Sequence, residues 1–216
     1  MNTPIVTITD RAGAIRSFAA PDGARILHKG LLEGIGLPHE CGTGTCGMCK
    51  ARLDTGEVED LWPEAPGRKS CRRRGEILMC QSAAAGDVAL TLKAECTAPP
   101  EPACGRMRGI LREIDRPTPD ILRMRCTLDA QMPFLAGQFV LVELPGVEGP
   151  RAWSMTNHDT GGRDLDFILR RAPDGAASAA VFDSSADGID VTVTGPLGRA
   201  TFNPSEGRSF LAIAGG

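Results

Sequence analysis

The spacing of apolar residues changes character about halfway along the chain. In the first part, IVTIT and IRSFAA read as two short strands, and ARILHKGLLEGIG places Ile26, Leu27, Leu31, Leu32 and Ile35 on one stripe at helical spacing. KARLDTGEVED predicts a strand and turn, and DVALTLKA a strand with Val88, Leu90 and Leu92 turned inward. Together they predict a small α+β unit. Further on, period two takes over in ILRMRCTL, QFVLVEL, DLDFILR and IDVTVTG, where Ile189, Val191 and Val193 oppose Asp190, Thr192 and Thr194. Short strands at this spacing predict an antiparallel barrel. The one helix expected among them is GAASAAVFDS, and the closing SFLAIAGG is an apolar run of the kind buried on both faces of a parallel sheet.

Between these regimes lies ECTAPPEPACG, whose prolines interrupt every pattern. It reads as a linker. The expected organisation is therefore a first domain over 1–95, a linker over 96–105, a barrel domain over 106–207 and a stub over 208–216. A chain of 216 residues is long enough for two ordinary domains. The formal net charge of -3 gives no reason to expect nucleic acid or an anionic membrane as partner. MNTPIVTITD has no basic segment followed by a long apolar one, and no apolar run approaches the roughly 20 residues of a membrane helix. A cytoplasmic chain with protein or small-molecule partners is expected.

Cytosolic thiols stay reduced, so eight cysteines in such a chain call for an explanation. Cys126 sits on the apolar face of ILRMRCTL with Leu122, Met124 and Leu128 and reads as a core residue. CGTGTCGMCK is different. Cys41, Cys46 and Cys49 have the spacing C-x4-C-x2-C, and Cys80 follows after thirty intervening residues. That is the plant-type [2Fe-2S] spacing. Four thiolates gather negative charge, so backbone N–H groups should point at them, and Gly42, Gly44 and Gly47 permit the turns this demands. Structural zinc would call for a second C-x2-C pair, which is missing. Cys71, in SCRRRGE, is the rival fourth ligand, either a thiol made reactive by basic neighbours or a solvated surface residue. Cys80 is preferred because ILM before it can bury the return segment.

LPHECGTGTCGMCKARLDTGEVE with GEILMCQS resembles the plant-type ferredoxin domain of reductase components of bacterial oxygenases. The resemblance covers about the first 95 residues and implies a ferredoxin-like β-grasp fold. Unlike plant ferredoxins, this half balances twelve basic against twelve acidic residues. Its docking surface is therefore expected to differ. GQFVLVELPG followed by RAWSMTN resembles the R-x-Y-S element of the ferredoxin-reductase flavin barrel. By that resemblance Arg151 would neutralise the FAD diphosphate, Trp153 would pack on the isoalloxazine and Ser154 would bond near its N5, with Ala152 between them. The family usually has tyrosine where Trp153 stands, which puts the contact to the ribityl chain in question. FILRRAPDGAAS resembles the second element: Ile168, Leu169 and Arg170 precede Gly175, Ala176, Ala177 and Ser178, which would open a helix toward the diphosphate. FMN is the competing flavin.

In that family LAIAGG opens a nicotinamide-binding module, so 208–216 would be its first strand and NADH would act through a domain not represented here. The resemblance implies electron transfer from NADH through FAD to the [2Fe-2S] cluster and on to an oxygenase partner. No side chain is expected to serve as acid, base or nucleophile. The alternative is a non-enzymatic flavin and iron-sulfur module reduced by another protein.

Overall fold

Alternation decides the first sheet. In the computed structural model, which describes residues 3–99, 101–158, 161–183, 188–201 and 207, β1 (Ile5–Thr9) buries Val6 and Ile8 and pairs with β2 (Ile15–Ala19). Helix α1 (Ile26–Leu32) then crosses to the cysteine loop, which leads into β3 (Lys50–Thr55). β4 (Val58–Asp60) leaves the sheet to pair with β6 (Ser82–Ala84), while β5 (Glu76–Leu78) adds to its edge. β7 (Val88–Leu92) runs parallel to β1 and completes the order β2-β1-β7-β3-β5. Val88, Leu90 and Leu92 face inward as the spacing predicts.

The helix is shorter than its apolar stripe. It ends at Leu32, the chain reverses at Gly34 with φ +74°, and Ile35 is buried beyond the helix rather than on it. Leu32 is half-exposed, and the helix buries His28 and Gly30 instead. A glycine at a positive φ is the usual stop signal, and it overrides the periodicity that continues past it.

The second domain contains β8 (Gly105–Thr118), β9 (Ile121–Leu128), β10 (Phe139–Glu143), β11 (Arg151–Ser154), β12 (Asp164–Arg170), α2 (Ala176–Phe182) and β13 (Ile189–Leu197). Their antiparallel order is β11-β10-β13-β8-β9-β12. Just past β11 the Thr156 N–H donates to Asp166 O at 2.9 Å, and the Asn157 side chain donates to Asp164 O at 2.9 Å. These bonds bring the two ends of the sheet together into a nearly closed barrel. The fold class is as expected: a β-grasp domain followed by an antiparallel barrel.

β8, the longest strand, alternates only in its first half, where Gly105, Met107, Gly109 and Leu111 turn inward. Only Gly109 and Leu111 are fully buried, while Ile110 and Ile114 are exposed, so beyond Leu111 the strand is held by its pairing with β9 rather than by a hydrophobic face. Before it, Thr97 bridges Gly36, and Arg199 Nη2 donates to Thr97 Oγ1 at 2.6 Å. The proline-rich passage is thus tied to both domains. Leu141 and Leu197 of the barrel lie in the same buried apolar cluster as Leu31, Leu37 and Cys80 of the first domain, so the domains share a core. The expected strand at 208–216 lies outside the described residues. Among the described residues no helix is long and apolar enough to cross a membrane.

Candidate functional site

The loop after α1 turns tightly around its thiols. Gly42, Gly44 and Gly47 adopt φ of +67°, +91° and +76°, the left-handed region that admits glycine without strain. These turns aim N–H groups at sulfur: Thr43 and Cys46 each donate to Cys41 Sγ at 3.4 Å, and Met48 donates to Cys46 Sγ at 3.4 Å. The 3-10 turn Pro66–Ser70 supports the loop from outside, since Gly67 N–H donates to Gly44 O at 2.8 Å and Ser70 Oγ to Gly47 O at 3.4 Å.

Cys80 comes up against this loop in a 3-10 turn, Met79–Gln81, packed beneath α1. Its Sγ lies 3.2 Å from Cys49 Sγ. Cys41 and Cys46 are likewise in side-chain contact. Among the described residues no three or more His, Cys, Asp or Glu side chains close around a single metal ion. What the loop presents is two thiol pairs, and all-thiolate ligation in pairs suits a two-iron cluster better than one ion. Burial opposes the Cys41 thiolate, but the Thr43 and Cys46 N–H groups outweigh it and bring its pKa to about 7. Sharing a hydrogen with Cys49, together with burial, pushes Cys80 up.

Cys71 lies apart from these four. It is half-buried against the first core, and burial raises its pKa despite Arg68 and Lys50 nearby. Neither a solvated thiol nor one activated by its basic neighbours describes it: desolvation wins over charge.

On the barrel, β11, the end of β12 and the start of α2 line a groove of about 290 Å³. Arg151, Trp153, Ile168, Leu169, Arg170, Gly175, Ala176, Ala177 and Ser178 all face it, so nine of the eleven residues expected at the flavin meet in one place. Ala152 and Ser154 are exposed on β11 and do not line it. Trp153 is held half-buried by an edge-on contact with Phe167, with centroids 5.3 Å apart. Arg151 Nη1 donates to the carbonyls of Glu148 and Gly149, both at 3.0 Å, which fixes its guanidinium at the rim. Ser178 Oγ donates to Gly175 O at 2.9 Å and accepts from Ala172 N–H at 3.2 Å, so it shapes the turn before α2. Ile168, 55% exposed in a strand, is the kind of uncovered apolar surface a ligand would shield.

A second cavity, about 400 Å³, lies between the domains. Thr43, Thr45 and Gln81 reach it from the thiol loop, Leu61 and Trp62 from the first domain, and Arg151 and Ala176 from the flavin groove. Gln81, beside Cys80 in GEILMCQS, and Trp62 and Arg25, which also line it, were not among the expected site residues, because nothing in their residue type or spacing marks them.

A paired-thiol domain fused to a barrel with a ring-sized groove defines an iron-sulfur flavoprotein. Comparison with known proteins agrees. Residues 10–85 match the 2Fe-2S iron-sulfur cluster binding domain and residues 109–202 the oxidoreductase FAD-binding domain. The chain is 35% identical over 204 residues, 93% of its length and 62% of the relative's, to the ferredoxin–NAD(+) reductase component of the alkene monooxygenase system of Xanthobacter autotrophicus. It is 37% identical, over 90% of its length and 60% of the relative's, to the ferredoxin–NAD(P)(+) reductase CarAd of Metapseudomonas resinovorans. Among solved structures, the ferredoxin reductase in carbazole 1,9a-dioxygenase superposes with TM-score 0.82 at 30% identity, covering 96% of this chain and 65% of that one. The chain carries both of these domains in that order, as the reductase relatives named above do over the length they share with it. It spans about 60% of the length of the curated relatives it matches.

Proposed function

We propose that the chain is the flavin and iron-sulfur portion of an NADH-dependent, cytoplasmic reductase component that delivers electrons to an oxygenase. The observation that carries this reading is the interdomain cavity, which the thiol loop and the flavin groove line together. When bound, FAD takes up an electron pair as hydride and releases electrons singly, in the steps a [2Fe-2S] cluster accepts.

Cys41, Cys46, Cys49 and Cys80 would hold the cluster, with the loop N–H groups stabilising its negative charge. Arg151 would neutralise the diphosphate, and Trp153 would give the flavin ring an aromatic wall. The NADH half-reaction is assigned to the part of the relatives that this chain does not span. The oxygenase partner is inferred from the relatives' names.

The test begins with composition: one flavin and two irons per chain are expected. The flavin is then reduced anaerobically by light with a sacrificial donor, and electron paramagnetic resonance should show the electron arriving on the cluster. A flavin that stays reduced beside an oxidised cluster would overturn the proposal. Brisk dye reduction by NADH with this chain alone would move the nicotinamide site into these residues.

A further inference from the structure

Arg25 breaks two local rules at once. It is the N-cap of α1, a position that favours a short side chain able to accept a hydrogen bond, and it makes no capping bond. It also puts a positive charge at the end of a helix that favours negative charge. A residue that costs its own element stability in two ways is a candidate for work elsewhere.

Its surroundings show where. Arg25 Nη1 donates to the backbone carbonyl of Cys80 at 3.0 Å and also bonds Gln81 Oε1, so the guanidinium is anchored beside the thiol turn. Nη2 has no hydrogen-bond partner among the described residues and points at the barrel, 3.2 Å from where a Cβ on Gly149 would lie. Arg151 is built the same way from the other domain, its Nη1 held by carbonyls and its remaining donors unengaged among the described residues. Both arginines line this interdomain cavity. Glu148 is the single acid in that lining and leaves it cationic.

Two arginine forks oriented from opposite walls are the donor set for two adjacent phosphates. We infer that the interdomain cavity seats the diphosphate of the flavin dinucleotide, with Arg25 of the iron-sulfur domain as its second cation. This rests on the flavin reading above and extends it. The nucleotide site is shared between domains, and a mononucleotide, with one phosphate, gains little from Arg25.

The experiment is a flavin titration of the full chain, stripped of flavin but with its cluster in place, using FAD and FMN in parallel. Losing one charge-assisted contact corresponds to about tenfold to hundredfold in affinity. Arg25→Met should weaken FAD by about that factor and FMN by less than about threefold, with the cluster's visible absorption retained. Should Arg25→Met fail to assemble, Arg25→Lys keeps the charge but loses the fork, and its FAD-to-FMN preference should fall by about threefold or more. An unchanged FAD-to-FMN preference in a variant that keeps its cluster would overturn the inference. A wild-type chain that binds neither flavin would overturn the functional reading instead.

Discussion

Gly47→Ala is a sharp test of how the thiol loop is built. A Cβ at Gly47 would lie 2.4 Å from Ser70 Oγ, 2.8 Å from Ser70 Cβ and 2.9 Å from Gly67 O. Rotating Ser70 moves only the first of these atoms, so the overlap cannot be relieved by a side-chain flip. The residue also sits at φ +76°, where an alanine costs about 1–2 kcal/mol. Overpacking against a fixed neighbour adds about 1–3 kcal/mol. The sum, about 2–5 kcal/mol, corresponds to a midpoint lowered by roughly 4–20 °C for a chain of this size. Because the displaced N–H groups are those aimed at Cys41 and Cys46, iron content should fall as well. Gly13→Ala is the control: its φ is +81° and nothing lies within 4 Å of the added Cβ, so it carries the conformational cost alone. Thermal melting by circular dichroism and iron analysis measure both variants. If Gly47→Ala matches Gly13→Ala in melting and iron content, the loop is not held by contact with the 66–70 turn and the reasoning fails.

Cys71→Ser should keep the visible absorption of the cluster and Cys80→Ser should lose most of it, since only Cys80 pairs with Cys49; the reverse result would exchange the ligand assignment. Glu76 is held by Lys93, by the N–H groups of Arg73 and Arg72 and by Lys50, which bring its pKa from the ordinary 4.5 to about 2. A carboxylate depressed on folding stabilises above its unfolded pKa, so stability should decline as pH falls from about 4.5 to about 2. In Glu76→Gln that part of the decline should vanish, and an identical urea-denaturation profile across this window for both proteins would refute the assignment.

What the sequence disclosed followed from periodicity and spacing. β9 and β12 fall where alternation puts them because one face of each is core and the other carries charge: Leu122, Met124 and Cys126 are buried against Arg123 and Arg125 outside. The convergence of the four cysteines on one loop and turn was legible because their spacing is itself a pattern, whatever surrounds them. β8 was not, since two of its four inward positions, Gly105 and Gly109, are glycines and its second half is exposed. The raised pKa of Cys71 was not legible, because the arginines beside it in sequence pull the other way from its partial burial.

The interdomain cavity was hidden for a related reason. Its lining comes from short stretches scattered between residues 25 and 176, too far apart to leave a pattern. Yet Leu141, read from sequence only as part of a barrel strand, and Leu197, just past one, pack into the first domain's core. Burying the two leucines there is worth about 3–6 kcal/mol. That contact holds the thiol loop against the flavin groove, and an added Cβ at Gly42 would make only ordinary contact with Leu141 Cδ1 at 3.4 Å. The cysteine loop therefore needs its glycines to turn N–H groups toward sulfur, while the barrel's leucines bring the two sites onto one cavity.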